Sequence, residues 1–524
     1  MEVARDIMKH QIARKFIQSV SLFTGLTAIL GGSPQDALAQ QLRVAIVATP
    51  APPWRGAAFG SPAWYNAALW ESLTRPGDGG LVPVLAQSWK NIDRDTWHFA
   101  LRPGMTFTNG KSIDAAAVAD SINLFLTENA AGKAPLGGGA PPLIRVLGSA
   151  KAIDTLTVEI KTKVPSPVFD NAVGNLPIIE TGAFRELGET DWAKNPASSG
   201  PYKIKEIRSE ETEFVPHGGS WHPGKVPSLL IRAIPERTAR IQAVQSGQMH
   251  VALALNIDAF DAIESAGHRI YTAPAPNVAA IALMTERPGS PFKDVRVRHA
   301  VNLAVDKDNI VRNLLRGRAV AASQPALPGM VGYNPDVKPY AFDPVQAKKL
   351  LSDAGFPNGF RTTVEAVVGS STADSEIYQQ VAIDLARVGV QAEIVPMTLS
   401  DWVTKYNGGN APNATDTTFK DWAFGWGYTL NDGDPIQGYS THWCDRKPTW
   451  YCNEGLRASV EAARSEFDPK KRGAILADLM KRSAEDAPVL FLVNQIEVVA
   501  LHRDVENFEM KYRYINFGDV RLKN

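Results

Sequence analysis

The chain has 524 residues and carries 55 Lys+Arg against 55 Asp+Glu, a formal net charge of zero. At ~150 residues per domain, that length points to about three domains. The balanced charge leaves no footprint for nucleic acid or for an anionic membrane surface.

Residues 1–39 read as a secretory signal. Arg5, Lys9, Arg14 and Lys15 form a basic start, and Phe16 to Leu30 are mostly apolar or small. That run is broken by Gln18, Ser19, Ser21, Thr24 and Thr27, well short of the ~20 apolar residues a membrane span needs. Ala37-Leu38-Ala39 supplies a cleavage site with Gln40 as first mature residue. Removal takes four basic residues and three acidic ones (Glu2, Asp6, Asp36), leaving 51 against 52. The expected mature protein is exported from the cytoplasm.

Leu42 to Val47 alternates as a strand and opens a Pro-rich loop carrying Trp54, Arg55, Trp64 and Tyr65. Aromatics and an Arg can stack on and pair with a ligand; such a loop equally packs on its own rings. From Leu81 to Phe125 the pattern is an apolar element, a β-hairpin and a helix. Trp97, Phe99 and Leu101 alternate with His98, Ala100 and Arg102. Pro103-Gly104 makes the turn, Asn109-Gly110 ends the next short strand, and Asp114 caps a helix burying Val118, Ile122 and Leu124. Gly104…Gly110-Lys111-Ser112 imitates a phosphate loop. It has five residues between the glycines where four are needed, and its interior is patterned as a strand.

Leu156, Val158 and Ile160 mark another strand. Further on, Asp343-Pro344 starts a helix that Gly355 stops. A helix from Tyr378 to Arg387 then leads through Gly389 into the strand Gln391 to Val395. Helix followed by strand, repeated, argues for sheets flanked by helices. In Asp421 to Tyr428, Trp422, Phe424, Trp426 and Tyr428 share one strand face, and Ala423, Gly425 and Gly427 the other. Trp422 and Phe424 suit a core. Trp426 and Tyr428 stand nearer the strand end, where α/β lobes meet ligands. Asp432 and Asp434 follow in the turn TLNDGDPIQGY, where either acid can serve a ligand or the turn itself. Cys444 and Cys452 read as a short local disulfide in an oxidising compartment, with a metal pair as the alternative. There is no HExxH, GxSxG or CxxC, and no pattern ties His217 or His222 to a nucleophile.

The block from Leu85 to Val118 resembles the opening signature of the family 5 extracellular solute-binding proteins, the oligopeptide/dipeptide/nickel-binding class serving bacterial ABC importers. Its residues Leu85, Ala86, Ser88, Trp89, Asp95, Thr96, Trp97, Phe99, Leu101, Arg102, Gly104, Phe107, Gly110, Ala116 and Val118 stand in the family's order. Three later blocks are similar to the family's: NPASSGPYKI (195–204), FKDVRVRHAVNLAVDKDNIVRNLLRGRA (292–319) and FDPVQAKKLLSDAGFPNGF (342–360). In ERTARIQAVQSGQMHVA, His250 stands where the family has Asp.

The resemblance implies a type II periplasmic-binding-protein-like α/β fold: two lobes joined by a hinge plus an extra small domain. It places lobe I at 40–70, 191–275 and 497–524, the small domain at 71–190 and lobe II at 276–496. It implies a monomeric receptor, without catalysis, metal or cofactor. A small solute (peptide-like, opine-like or oligosaccharide) would be captured between the lobes and passed to permease subunits with their ATPases. The alternative is a secreted hydrolase of peptides or sugars. The resemblance favours the Cys444–Cys452 disulfide, and it puts the loop with Trp54 and Arg55 at the cleft mouth. Peptide-binding relatives have an acid that pairs with the ligand α-amine; its place here is taken by Leu430, with Asp432 displaced, which implies solutes whose α-amine is absent or masked.

Overall fold

The computed structural model describes residues 41–49, 60–77, 80–130, 143, 146–402, 405, 423–429, 434–436, 439, 444 and 449–523. The expected signal segment, Trp54, Arg55, Trp422, Leu430 and Asp432 lie outside them. The described chain begins with β1 (Gln41–Ile46) and helix α1 (Gly60–Leu69). A separate antiparallel sheet follows, built from β2 (Ala86–Asn91), β3 (Thr96–Leu101), β4 (Leu147–Ala152) and β5 (Thr157–Thr162) in the order β2-β3-β5-β4. Helix α2 (Ala115–Ala130) lies between β3 and β4 in the chain, and its first turn is capped by Asp114 Oδ1, which accepts from Ala117 N at 2.9 Å.

The large sheet takes in β6 (Tyr202–Ile207), β7 (Glu211–Pro216), β8 (Ser228–Ala233), β9 (Val251–Leu255), β10 (Arg269–Leu283), β11 (Phe360–Val367), β12 (Val390–Met397), β13 (Ala423–Thr429) and β14 (Val489–Leu501). Its order is β12-β11-β13-β10-β14-β9-β1-β8-β7-β6, with Val320–Ala321 added beside β14. Pairing is parallel where β1 meets β8 and β9, and again where β11 meets β12 and β13. The long antiparallel pair β10/β14 joins these two halves. The crossings are helical: α3 (Arg237–Gln245) precedes β9, α4 (Val295–Ala304) and α5 (Pro344–Asp353) lie between β10 and β11, and α6 (Asp374–Ala386) lies between β11 and β12. Helices α7 (Arg457–Ser465) and α8 (Pro469–Asp486) pack together before β14.

The two-residue strand period divides the apolar side chains between cores. Leu42, Val44 and Ile46 enter one core with Leu229, Ile231, Val499 and Leu501, and this core runs on without a break into the four-stranded sheet and α2. Ala45, Ala252, Ile281, Val498 and Ala500 point the other way, into a core that spans both halves of the sheet. Val278, Ala280 and Ala282, with Val489 and Phe491, enter a third core with Phe424 and Trp450. Among the described residues, one face of the large sheet is therefore covered continuously, whereas the other is covered by two separate cores. Between those two cores the strands change register, at Pro274/Val278 and Ala279/Ala280, and carry polar residues, among them Asn277, Asn494 and Glu497.

Two local readings of the sequence are corrected. Trp64 and Tyr65 lie in helix α1, not in a loop; Pro62 falls in its first turn, where a missing N–H is no loss. The strand β3 does not form a hairpin across Pro103-Gly104: its partners are β2 and β5. Residues 105–112 instead form a loop closed by a single bridge between Thr106 and Ser112. Its N–H groups are spent on Gly219 O (from Thr106), Lys111 O (from Phe107) and Ser198 O (from Thr108). Met105 and Phe107 are buried beneath it. No N–H cradle for a phosphate is left at these positions.

A candidate solute-binding groove where two cores part

Helix α1 turns one face to the first core and another to a groove. Tyr65, at 3% exposure, is core: its hydroxyl donates to Thr212 Oγ1 at 3.1 Å, its ring meets Phe214 edge-on at 5.4 Å, and burial pushes its phenol up to about 12. Trp64 is equally buried, and its Nε1 has no hydrogen-bond partner. Ala63, Asn66, Ala67 and Trp70, at helical spacing, instead line an open groove.

The opposite wall is the segment Lys511–Tyr514. Tyr512 packs against the third core and Tyr514 against the first, so the groove lies where these cores part. Arg513 Nε donates to Glu497 Oε1 at 2.6 Å, tying the wall to β14. At the inner end, Glu71 and Arg75 stand four positions apart in the chain, with Nη1 to Oε2 at 3.9 Å. The Arg75 guanidinium lies 4.1 Å from the centre of the Tyr514 ring. Tyr514 Oη donates to Glu71 Oε2 at 3.4 Å, and Ser199 Oγ accepts from Glu71 N at 3.0 Å. Burial pushes the Glu71 carboxyl above the usual carboxylate range, with Arg75 pulling it back. Trp70 stacks on Trp192 at 5.5 Å and 12°.

Among the described residues, four polar atoms of this wall have no protein hydrogen-bond partner: Asn66 Nδ2, Asn66 Oδ1, Trp70 Nε1 and Arg75 Nη1. Orphaned buried groups are rare in folded proteins, because each costs about 1–3 kcal/mol. Asn66, Trp70 and Arg75 carry no motif. The signal in the sequence was the apolar-and-small spacing of residues 63, 66, 67 and 70 once a helix is recognised there.

The backbone of Trp426 lies in β13 opposite Ala280, and that of Tyr428 opposite Val278. On the same strand Phe424 is core, 5.6 Å edge-on to Trp450. The space beside Gly425 is taken by a protein side chain: a Cβ there would meet Tyr378 Oη at 2.6 Å. Asp434 is buried, its carboxylate accepting from Arg472 Nη2 on α8 at 2.8 and 3.0 Å and from Ile436 N at 3.2 Å. Cys444 and Cys452 form a disulfide. His217 Nδ1 meets Gly200 O at 3.1 Å, and His222 Nε2 meets Asp519 Oδ1 at 2.8 Å. His250 accepts from Arg43 N through Nδ1 at 3.1 Å, and burial drives its imidazole down to about 3.

No helix among the described residues is long and apolar enough to cross a membrane. The glutathione-binding protein GsiB of Pectobacterium atrosepticum is 25% identical over 460 residues, covering 85% of this chain and 86% of its own. The substrate-binding protein CtaP of an ABC transporter from Listeria monocytogenes superposes with a TM-score of 0.79 at 20% identity, covering 92% and 99% of the two chains. The dipeptide-binding protein of Pseudoalteromonas sp. SM9913, solved with Met-Leu, superposes at 0.72 and 20% identity, covering 92% and 100%. These structures share the type II periplasmic-binding-protein fold. Residues 80–445 match the model of the bacterial extracellular solute-binding proteins, family 5. The chain belongs to that family and has the role of a solute-binding receptor.

Proposed function

We propose that the chain is the periplasmic receptor of an ABC importer, exported after cleavage near Ala39, and that it captures a small peptide-like or opine-like solute between two lobes without converting it. The observation that carries this reading is the uneven covering of the large sheet. A core continuous on one face holds the halves together, and on the other face two cores part; the groove beside that parting is walled by residues 63–76, 174–177 and 511–514, from lobe I and the small domain of this reading. Solute sites combine apolar and aromatic walls with a few placed polar groups, and this groove has both. The lobes of this reading are 40–70 with 191–275 and 497–524, and 276–496, with 71–190 as the small domain. Both crossings fall beside the register changes of β10/β14. A glutathione-binding relative and a neighbour holding Met-Leu support a peptide-like solute.

The test is native mass spectrometry of the monomer purified from the periplasm, followed by incubation with whatever small molecule it retains. A retained solute that raises the melting temperature and is recovered unchanged supports the receptor. Conversion of that solute by the pure protein, abolished by one point substitution, would establish a hydrolase instead.

A further inference from the structure

We infer that His250, His268 and His502 form an acid-sensitive fastening that holds the C-terminal segment 502–523 to the large sheet, firm at neutral pH and loosened by acid. The strand register puts the three side by side. Leu501 of β14 pairs with Val251 of β9 on one side and with Arg269 of β10 on the other. In an antiparallel pair the next residue of one strand meets the preceding residue of its partner, so His502 stands between His250 and His268. Its ring centre lies 5.7 Å from that of His250 and 4.3 Å from that of His268. His250 and His268 are buried. The segment begins at this row: His502 N donates to His250 O at 2.7 Å, and Asp504 O accepts from Lys523 N at 2.8 Å. The same segment carries the groove wall Lys511–Tyr514.

Each of the three rings accepts a backbone N–H at Nδ1. The donors are Arg43 N to His250 at 3.1 Å, Arg503 N to His268 at 3.3 Å and Asp504 N to His502 at 3.3 Å. An imidazolium carries hydrogen on both nitrogens, so protonating the row sets N–H against N–H at three places. The charges around it are mostly positive. Arg43 Nη2 lies 2.9 Å from His250 Nε2, and Arg232 on β8 acts on Arg43. Arg269 on β10 reaches Val505 O, and Arg503 acts on His502. Asp261 and Glu264, on the short helix Ala259–Ser265 ahead of His268, are engaged by Arg316 and Arg318. Among the described residues, the carboxylate that acts on the row is Asp504, with Oδ2 3.2 Å from His502 Nδ1. A charged His502 can therefore turn to Asp504, whereas a charged His250 meets a guanidinium. Burial, then Arg43 and His502, hold the His250 imidazole down to about 3; burial lowers that of His502 as well. Above pH 6.5 the fastening is complete. As pH falls from there toward 3, the released chain takes up a proton that the fastened chain refuses, and the fastening weakens.

The experiment is hydrogen-exchange mass spectrometry of the full mature protein at pH 7.5 and 5.5, with each rate corrected for the pH dependence of a free amide. One unit below its ordinary 6.5, His250 alone favours release by about tenfold. Peptides from 502–523 are expected to lose protection by at least about tenfold on acidification, and peptides from 360–397, which hold no histidine, by less than about twofold. His250→Asn keeps an acceptor that cannot take a proton, and is expected to reduce the loss in 502–523 to about twofold or less. Asp504→Asn removes the counter-charge of His502 and is expected to enlarge the loss. Protection of 502–523 that stays within about twofold in the wild type, or that falls equally in 360–397, overturns the fastening. So does a His250→Asn protein with the wild-type loss. Should that variant not fold, an Asp504→Asn protein losing no more than wild type overturns it.

Discussion

Lys307 is the residue whose burial is hardest to reconcile with its charge. It is 3% exposed, its Nζ donates to Asn302 O at 2.8 Å, and burial pushes its ammonium down to about 7 against the pull of Asp308 and Asp306. Between pH 7 and 10.5 the unfolded chain holds a proton that the folded chain has given up, so folding stability rises with pH across that window and levels off above it. The rise is on the order of 2–4 kcal/mol. In Lys307→Met that component vanishes. Urea unfolding of both proteins at pH 7 and 10 checks it: the wild type should gain on the variant as pH rises, and a constant difference would show that Lys307 ionises normally. The lysine was visible in the DKDN stretch; its burial was not, because that involves partners further along the chain such as Tyr340, whose ring centre lies 5.9 Å from Nζ.

At the scale of elements, the start of α6 shows how the hinge side of the sheet is held. Asp374 accepts from Gly369 N, Ser370 N, Ser371 N and Ser375 N at 2.8–2.9 Å. That turn in turn reaches β14, through Ser371 Oγ to Gln495 Oε1 at 3.3 Å and Thr372 Oγ1 to Ile496 O at 2.9 Å. Asp374→Ala orphans several N–H groups at once and should cost about 2–4 kcal/mol in urea unfolding; a loss under about 0.5 kcal/mol would show that water replaces the carboxylate. Caps of this local kind were legible in the sequence: Asp343 accepts from Gln346 N at 2.8 Å, and Gly355, at φ +91°, stops α5. Partners chosen from far along the chain were not. Pro103-Gly104 looked like a hairpin turn, yet β3 pairs with β5, which the sequence reaches only after α2. The groove escaped for the same reason, since Glu71 and Tyr514 stand 443 positions apart. The family blocks survived because each fixes a local unit, whereas the solute is chosen by side chains that only the fold assembles.

For the whole molecule, the two halves touch away from the groove as well as within the sheet. Phe467, just before α8, packs against the first core. Arg472 on α8 lies near enough to Asp170, in the segment beside the four-stranded sheet, to pull against the burial that raises that carboxyl. On the receptor reading these contacts count toward closure, and none of them involves a residue of the groove lining. A solute shifts the open–closed balance only by what it gains on closure, and its apparent affinity falls with the fraction of closed protein. Phe467→Ala should therefore weaken solute binding by about five- to thirtyfold, the equivalent of the ~1–2 kcal/mol lost when part of an aromatic ring leaves a core. Its effect should appear in the dissociation rate and in a larger radius of gyration of the empty protein by small-angle scattering, with saturating solute drawing wild type and variant to the same compact value. An unchanged affinity with an unchanged radius would mean that Phe467 packs equally in both states, and that closure is driven from the groove alone.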